Sequence, residues 1–366
     1  MFDYDYSCSL ENILTKINDT AGELYIFGTG AMAEIAFRLT QRYNIQIKAF
    51  IIDDKYYSSS DHKGICVMRF SSYVEICKET DYVWICLDNL EAREAVASKI
   101  KTRNVIKTSF PIEAYRKDFY LDFDYYSQHK DEFRNTYDLL ADETSKKTME
   151  NYVYACISGN IEPLISENII INQYFNELTK DCDCSTFLDC GSFIGDSIID
   201  ALRFYGDQSV KRIIAFEPDE NNIAKINESV ANGSIPTDKF TLLKYGVSDK
   251  YAVLHFSSNG DGSAICDDGD IQIEVDAIDN LVHEPVTFIK MDVEGSEYDA
   301  LVGATNIIKD NIPTLAICVY HKREDLIEIP ALIRSIVGNN TYDFYIRHHQ
   351  SNLTELVLYA IPRKQQ

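Results

Sequence analysis

FLDCGSFIGDS, from Phe187 to Ser197, is the stretch on which the reading of this chain turns. A short apolar run ends in Asp189, glycines follow at 191 and 195, and the apolar-periodic IIDALRFYG comes directly afterwards. Strand, glycine turn and helix in that order bring backbone close to a nucleotide-like ligand in doubly wound folds. The spacing D-x-G-x-x-x-G is not the dinucleotide G-x-G-x-x-G. Nor is it a phosphate loop, which requires Lys after its second glycine.

The residues that follow repeat the pattern. Strands are expected at 186–190, 212–218, 240–249, 286–292 and 314–321, with an added strand at 252–257. The segments 342–349 and 355–362 read as a closing hairpin-like pair. Short apolar strands alternating with helices imply a parallel sheet covered on both faces.

Upstream, ELYIFG (23–28) is a strand, GTGAMAEIAFRLTQRY opens a helix, and IQIKAFIIDD is a second strand ending at Asp53 and Asp54. Gly28, Gly30 and Ala33 match G-x-G-x-x-A, and Asp53 falls where an acid can hold a ribose diol. A unit at 82–88 and a short strand NVIKTS complete a Rossmann-like domain of three or four strands. It would bind a nucleotide or nucleotide sugar, or serve only in packing or dimerisation, with Asp54 and Lys55 as turn residues. Residues 116–180 read as a polar helical connector. The expected domains are therefore 1–115, 116–180 and 181–366, which suits a chain of 366 residues.

Composition narrows the function classes. A net charge of −23 argues against wrapping a nucleic acid backbone, which wants Lys/Arg patches, and against an anionic membrane surface. The apolar runs are strand-sized, so no membrane span is expected. The N-terminus lacks the basic and apolar regions of a signal peptide. Ten cysteines without a disulfide-like framework suit a reducing, cytoplasmic compartment. C-x-C-x5-C at 182–190 lacks metal-ligand spacing and reads as structural thiols. A homo-oligomer is compatible with all of this.

Several residues carry chemistry. Glu217 ends the second strand about 25 residues after the glycine turn, where an acid accepts both hydroxyls of a ribose; Asp219 suits the following helix cap better. Ser248 and Asp249 would meet an adenine edge, or simply turn the chain. Asp292, in IKMDVEGSEYDAL, leaves its strand on the same sheet edge as Asp189, and Glu294 and Glu297 follow. These carboxylates could supply a general base for a hydroxyl or hold a hard divalent cation, with Glu297 read as a helix-dipole charge. His321, one strand further on, is a second candidate base. Arg347, His348 and His349 would in part face an anionic or hydroxylated acceptor, 347 and 349 sharing one face.

FLDCGSFIGDS, IIAFEPDENN, IKMDVEGSEYDALVGA and HKREDLIEIP together resemble FkbM-type S-adenosylmethionine-dependent methyltransferases over roughly 185–362. LADETSK, INQYF and RHH…LTELVLYA resemble a subgroup with an N-terminal Rossmann-like extension. The resemblance implies an α/β, doubly wound methyltransferase domain with a terminal antiparallel hairpin. It implies S-adenosylmethionine, held by Asp189, Gly191, Gly195, Glu217, Ser248, Asp249 and Asp292. It also implies O-methylation of a hydroxyl, often on a saccharide or glycan precursor. Asp292, His321 and Glu294 are the expected catalytic residues, and a divalent metal is left open. Cys190 and Ser192-Phe193-Ile194 depart from the more usual Val-Gly-Ala-Asn-x-Gly wording while keeping both glycines. A nicotinamide- or nucleotide-dependent sugar-modifying protein, or a non-catalytic module of a glycan assembly complex, are the alternatives.

Overall fold

The computed structural model describes residues 4–87, 89–110, 120–166, 172–257, 264–265 and 271–364. The chain is mixed α/β and divides into two compact units. The first holds residues 1–130, 149–168 and 350–354; the second holds 131–148, 169–349 and 355–366.

In the first unit, β1 (Leu24–Phe27), β2 (Ile47–Ile52), β3 (Asp61–His62), β4 (Ile65–Arg69), β5 (Tyr82–Ile85) and β6 (Asn104–Lys107) form one sheet in the order β3-β4-β2-β1-β5-β6. Its pairings are parallel except β3 with β4. Six strands exceed the three or four expected. ICVMR at β4 lies among polar residues too short of apolar periodicity to announce a strand, and pairing with β2 supplies what propensity did not. Every residue of β1 is buried, as a central parallel strand requires. Trp84 is fully buried on β5 and donates its indole N–H to Thr108 Oγ1 at 2.7 Å.

The second unit is built on β7 (Thr186–Cys190), β8 (Arg212–Phe216), β9 (Phe240–Leu243), β10 (Gly246–Val247), β11 (Ala252–Ser257), β12 (Ala264–Ile265), β13 (Ile271–Asp276), β14 (Phe288–Met291), β15 (Thr314–Cys318), β16 (Tyr342–His348) and β17 (Leu356–Pro362). Seven of these make the main sheet, in the order β16-β17-β15-β14-β7-β8-β9. β17 runs antiparallel to both β15 and β16, and the other pairings are parallel. The expected closing hairpin is present, with its last strand inserted beside β15. β7 sits at the centre, and from it the chain winds one way through β8 and β9 and the other way through β14 and β15. That reversal is a topological switch point, where open α/β sheets place ligands beyond their carboxyl ends.

The expected single strand 240–249 is instead two. β9 ends at Leu243, and β10 joins a separate sheet in the order β10-β13-β11-β12. The added strand at 252–257 belongs to that second sheet as well, paired with β13. SSNGDGSAI (257–265), which reads from its composition as a Gly/Ser loop, lies partly outside the described residues.

Phe175 packs on the main sheet, its ring centroid 5.6 Å from those of both Phe187 and Phe288. Ring contacts of this kind add about 0.5–1.5 kcal/mol each beyond area burial. They fasten the segment before β7 across β7 and β14, and so fix the position of its neighbour Tyr174.

Candidate active site

The loop Gly191–Gly195 leaves β7 through three left-handed residues, Gly191 (φ 76°), Phe193 (φ 47°) and Gly195 (φ 84°). Its path is set by β8: the amides of Gly191 and Ser192 both donate to the Phe216 carbonyl, at 3.1 and 3.0 Å. Gly191 is required twice over. Its φ is one that L side chains rarely adopt, and a β-carbon there would lie 1.8 Å from the Asp292 carbonyl oxygen. The loop is thus pressed against the end of β14.

Asp189 lies beneath the loop, with no exposed surface. Its Oδ2 accepts from Ser197 Oγ at 2.7 Å, and its Oδ1 lies 3.2 Å from Lys290 Nζ. Lys290 is directly opposite Asp189 in the β7–β14 register. Its ammonium also donates to the Gly191 carbonyl at 2.5 Å. Burial alone would lower the Lys290 pKa, but Asp189 and Asp292 outweigh it and hold the ammonium charged. A buried charge persists only when paired and hydrogen-bonded, and here it joins both central strands to the loop. Sequence reasoning missed Lys290. Its signal was a lone charge within the apolar run VTFIKMD.

Glu217 is buried at the end of β8. Oε2 accepts from the Phe193 amide at 2.8 Å and Oε1 from the Asp219 amide at 2.9 Å. Burial is the main cause that raises its pKa to about 7. Asn222 Nδ2 adds a longer contact to Oε1 at 3.4 Å; a carboxylate has about four acceptor sites, so one remains, on Oε2, for a donor from a ligand. Asp219 caps the helix Glu220–Ala231 through its side chain.

Asp292 follows β14. Its Oδ2 accepts from Tyr174 Oη at 2.8 Å, while Oδ1 has no hydrogen-bond partner. Burial acts to raise its pKa, but Lys290 and His321 prevail and lower it. Glu294 occupies a left-handed turn residue (φ 57°). β14 and β15 are parallel neighbours with Met291 opposite Ile317, so the segments beyond their ends meet. His321 lies there, three residues past β15, with Nδ1 2.9 Å from Glu297 Oε1 and Nε2 3.5 Å from Asp292 Oδ1 and 3.9 Å from Glu294 Oε2.

Two expectations change at this cluster. Glu297, read as a helix-dipole charge, does begin the helix Glu297–Val302, but its side chain is fully buried and faces His321. His321, expected as a base, is held as an imidazolium. Its burial would lower the pKa, but Glu297, Asp292 and Glu294 raise it to about 10, so it already carries its proton at neutral pH. The contact with Glu297 is short but not aligned as a straight hydrogen bond.

Ser248 and Asp249 follow β10 on the second sheet. Ser248 donates its amide to the Asp276 carbonyl, and Asp249 is exposed beside Lys250. Among the described residues no hydrogen bond links either to Asp189 or Glu217. Arg347, His348 and His349 are buried rather than presented to an acceptor. Arg347 pairs with Asp142 at 2.6 Å and Ser145 at 2.7 Å, and His349 Nε2 lies 2.8 Å from Tyr359 Oη.

In the first unit, Gly28 (φ 111°) ends β1 and Gly30 caps the helix Ala31–Arg42. Asp53 follows β2, and its carboxylate accepts from the Lys55 amide at 3.1 Å. It closes a turn, in line with the alternative reading of that segment.

With this geometry in place, the sequence comparison is decisive for the second unit: residues 189–344 match the methyltransferase FkbM domain. That segment is an FkbM-type methyltransferase domain. It contains Asp189, Glu217, Asp292 and His321, and its match ends within β16. No curated protein matches the chain. Among solved structures, the chain is similar to the methyltransferase FkbM of Methylobacillus flagellatus, with 21% identity and a TM-score of 0.76 over 95% of this chain and 93% of that one. At that identity the likeness shows a shared fold across both units. An rRNA methylase of Streptococcus thermophilus aligns over 54% of this chain and 99% of its own, with 14% identity and a TM-score of 0.35. That alignment is too loose to carry an argument. Among the described residues, no helix is long and apolar enough to cross a membrane.

Proposed function

We propose that the protein is an S-adenosylmethionine-dependent O-methyltransferase acting on a hydroxyl of a saccharide or glycan precursor. The observation that carries this reading is the convergence of three carboxyl-end features at the switch point. These are the left-handed loop after β7, Glu217 after β8 and Asp292 after β14, with the loop in backbone contact with Asp292.

The residues fit such a cofactor. Glu217 retains an acceptor site on Oε2 for a ribose hydroxyl, and Asp292 Oδ1 accepts no hydrogen bond from the chain. Gly191 and Gly195 let the loop backbone lie against the methionine end, while Asp189, Ser197 and Lys290 support the loop from below. When bound, S-adenosylmethionine supplies an electrophilic methyl group. Asp292, aligned by Tyr174, is the group placed to accept the hydrogen bond of an acceptor hydroxyl. His321 holds Asp292 and Glu294 together as a charged partner. Positioning of this kind supplies a large part of the acceleration in an in-line displacement. The described cysteines are all free thiols, in keeping with a cytoplasmic site of action.

Calorimetry with protein freed of endogenous ligand, comparing S-adenosylhomocysteine with NAD and nucleotide sugars, tests the cofactor. Transfer of radiolabelled methyl to a panel of saccharides, lipids and peptides then tests the acceptor. Binding of NAD in place of S-adenosylhomocysteine would overturn the reading in favour of the nicotinamide alternative. Label transferred only to a nitrogen or carbon atom would overturn the hydroxyl assignment.

A further inference from the structure

We propose that Asp292, Glu294 and His321 form a binding site for one divalent cation of the Mn²⁺ class. The site rests on their geometry. Its use, to hold an acceptor oxygen beside the glycine loop, rests on the methyl-transfer reading above.

The His321 side chain is 1% exposed, and its Nε2 has no hydrogen-bond partner. That nitrogen faces Asp292 Oδ1 at 3.5 Å and Glu294 Oε2 at 3.9 Å. Asp292 Oδ1 is likewise without a hydrogen bond. Without a cation, Nε2 holds a proton directed toward the two carboxylates with a hydrogen bond to neither; a bound cation takes that proton's place between the three groups and releases it to solvent. Bonds of about 2.1 Å in octahedral geometry set neighbouring donors about 3 Å apart. The two separations from Nε2 lie within about 1 Å of that spacing. The Asp292 and Glu294 side chains are 23% and 29% exposed, which leaves an open side for water or an acceptor.

The supporting residues match what a metal-ligating histidine requires. Its other nitrogen, Nδ1, meets the buried Glu297 carboxylate at 2.9 Å, the carboxylate–histidine–metal arrangement that orients the ring. Glu297 Oε1 is itself fixed by the Val293 amide at 2.9 Å, and Asp292 Oδ2 by Tyr174. One imidazole with two carboxylates suits Mn²⁺ or Fe²⁺ better than the all-oxygen sites of Ca²⁺ or the thiolate sites of structural Zn²⁺.

The test uses full-length, metal-stripped protein titrated with Mn²⁺, with free ion read by electron paramagnetic resonance. One saturable site is expected, weakened at least tenfold by Glu294→Gln and Asp292→Asn and unaffected by Asp200→Asn, an exposed carboxylate elsewhere. Bound Mn²⁺ should show nitrogen modulation in its spin-echo spectrum, lost in His321→Gln. Glu294 is partly exposed, so its variant keeps the test readable where His321→Gln fails to fold. Absence of a saturable site in the wild type, equal affinity in Glu294→Gln, or bound Mn²⁺ without nitrogen modulation would each overturn the proposal. S-adenosylhomocysteine titrated into the same metal-free sample separates the two readings. Mn²⁺ binding without S-adenosylhomocysteine binding sinks methyl transfer alone, and the converse sinks the metal site alone.

Discussion

The α-carbon of Gly191 approaches the carbonyl of Asp292 so closely that any β-carbon would stand 1.8 Å from that oxygen. The two residues follow the ends of adjacent parallel strands, β7 and β14, and the contact transmits the position of one strand end to the other. Gly191→Ala must both strain a left-handed residue and displace a backbone oxygen. Left-handed strain of about 1–2 kcal/mol and overpacking of about 1–3 kcal/mol predict a loss of roughly 2–5 kcal/mol. Urea denaturation at equilibrium measures it, and a loss below about 0.5 kcal/mol would show that the loop is not constrained as described.

Glu217 should make cofactor binding depend on pH. Its buried carboxyl titrates near 7 rather than in the ordinary carboxylate range. The sign for stability follows: a raised pKa favours the folded state below the unfolded value and withdraws that support as pH rises through about 7. Ligand hydroxyls donate better to the ionised form, so affinity for S-adenosylhomocysteine should rise roughly tenfold between pH 6 and 8. Glu217→Gln should lose that dependence and bind more than about tenfold more weakly at pH 8, or 1.4 kcal/mol. A pH profile identical in the variant would remove Glu217 from the site.

Lys290→Met should be severely destabilising. It leaves the Asp189 carboxylate buried without its countercharge and the Gly191 carbonyl without its donor. Breaking one side of a buried ion pair costs about 3–5 kcal/mol. The double variant Asp189→Asn/Lys290→Met should recover part of the loss, as a thermodynamic cycle can measure. Additive losses would mean that the two side chains are not coupled.

Thr108→Val tests the first unit separately. It removes the acceptor of the buried Trp84 indole N–H with little change of shape. An unsatisfied buried donor costs about 1–3 kcal/mol. Trp84 is the sole tryptophan of the chain, so its own fluorescence should report a shift of the unfolding transition to lower urea. An unchanged midpoint would refute the assigned bond.

Tyr174→Phe addresses the alignment of Asp292. The variant removes the hydroxyl that donates to Oδ2 at 2.8 Å and retains the ring. Methyl transfer should fall about tenfold in kcat, equivalent to 1.4 kcal/mol of barrier, with S-adenosylhomocysteine affinity unchanged. Equal losses in both quantities would place Tyr174 in donor binding instead.

The order of apolar runs, glycines and strand-end acids in this sequence was enough to determine the alternation of strands and helices and the class of the second unit. Period and punctuation are local properties of a chain. They also placed Glu217 and Asp292 at strand ends, because a carboxylate directly after a short buried run can lie only at the sheet edge. The sequence could not show that Lys290 stands opposite Asp189, since register between β7 and β14 joins residues about a hundred positions apart. It could not distinguish a surface Glu297 from the buried partner of His321, nor a basic His321 from one already protonated, because a side chain's charge state is set by neighbours from other elements. It left Arg347, His348 and His349 in part facing an acceptor, whereas all three are buried, with Arg347 packed against Asp142 and Ser145 and His349 against Tyr359. Local pattern thus determined which elements form and where their ends lie. Tertiary structure alone decided which charges meet, and so which of them remain open to a ligand.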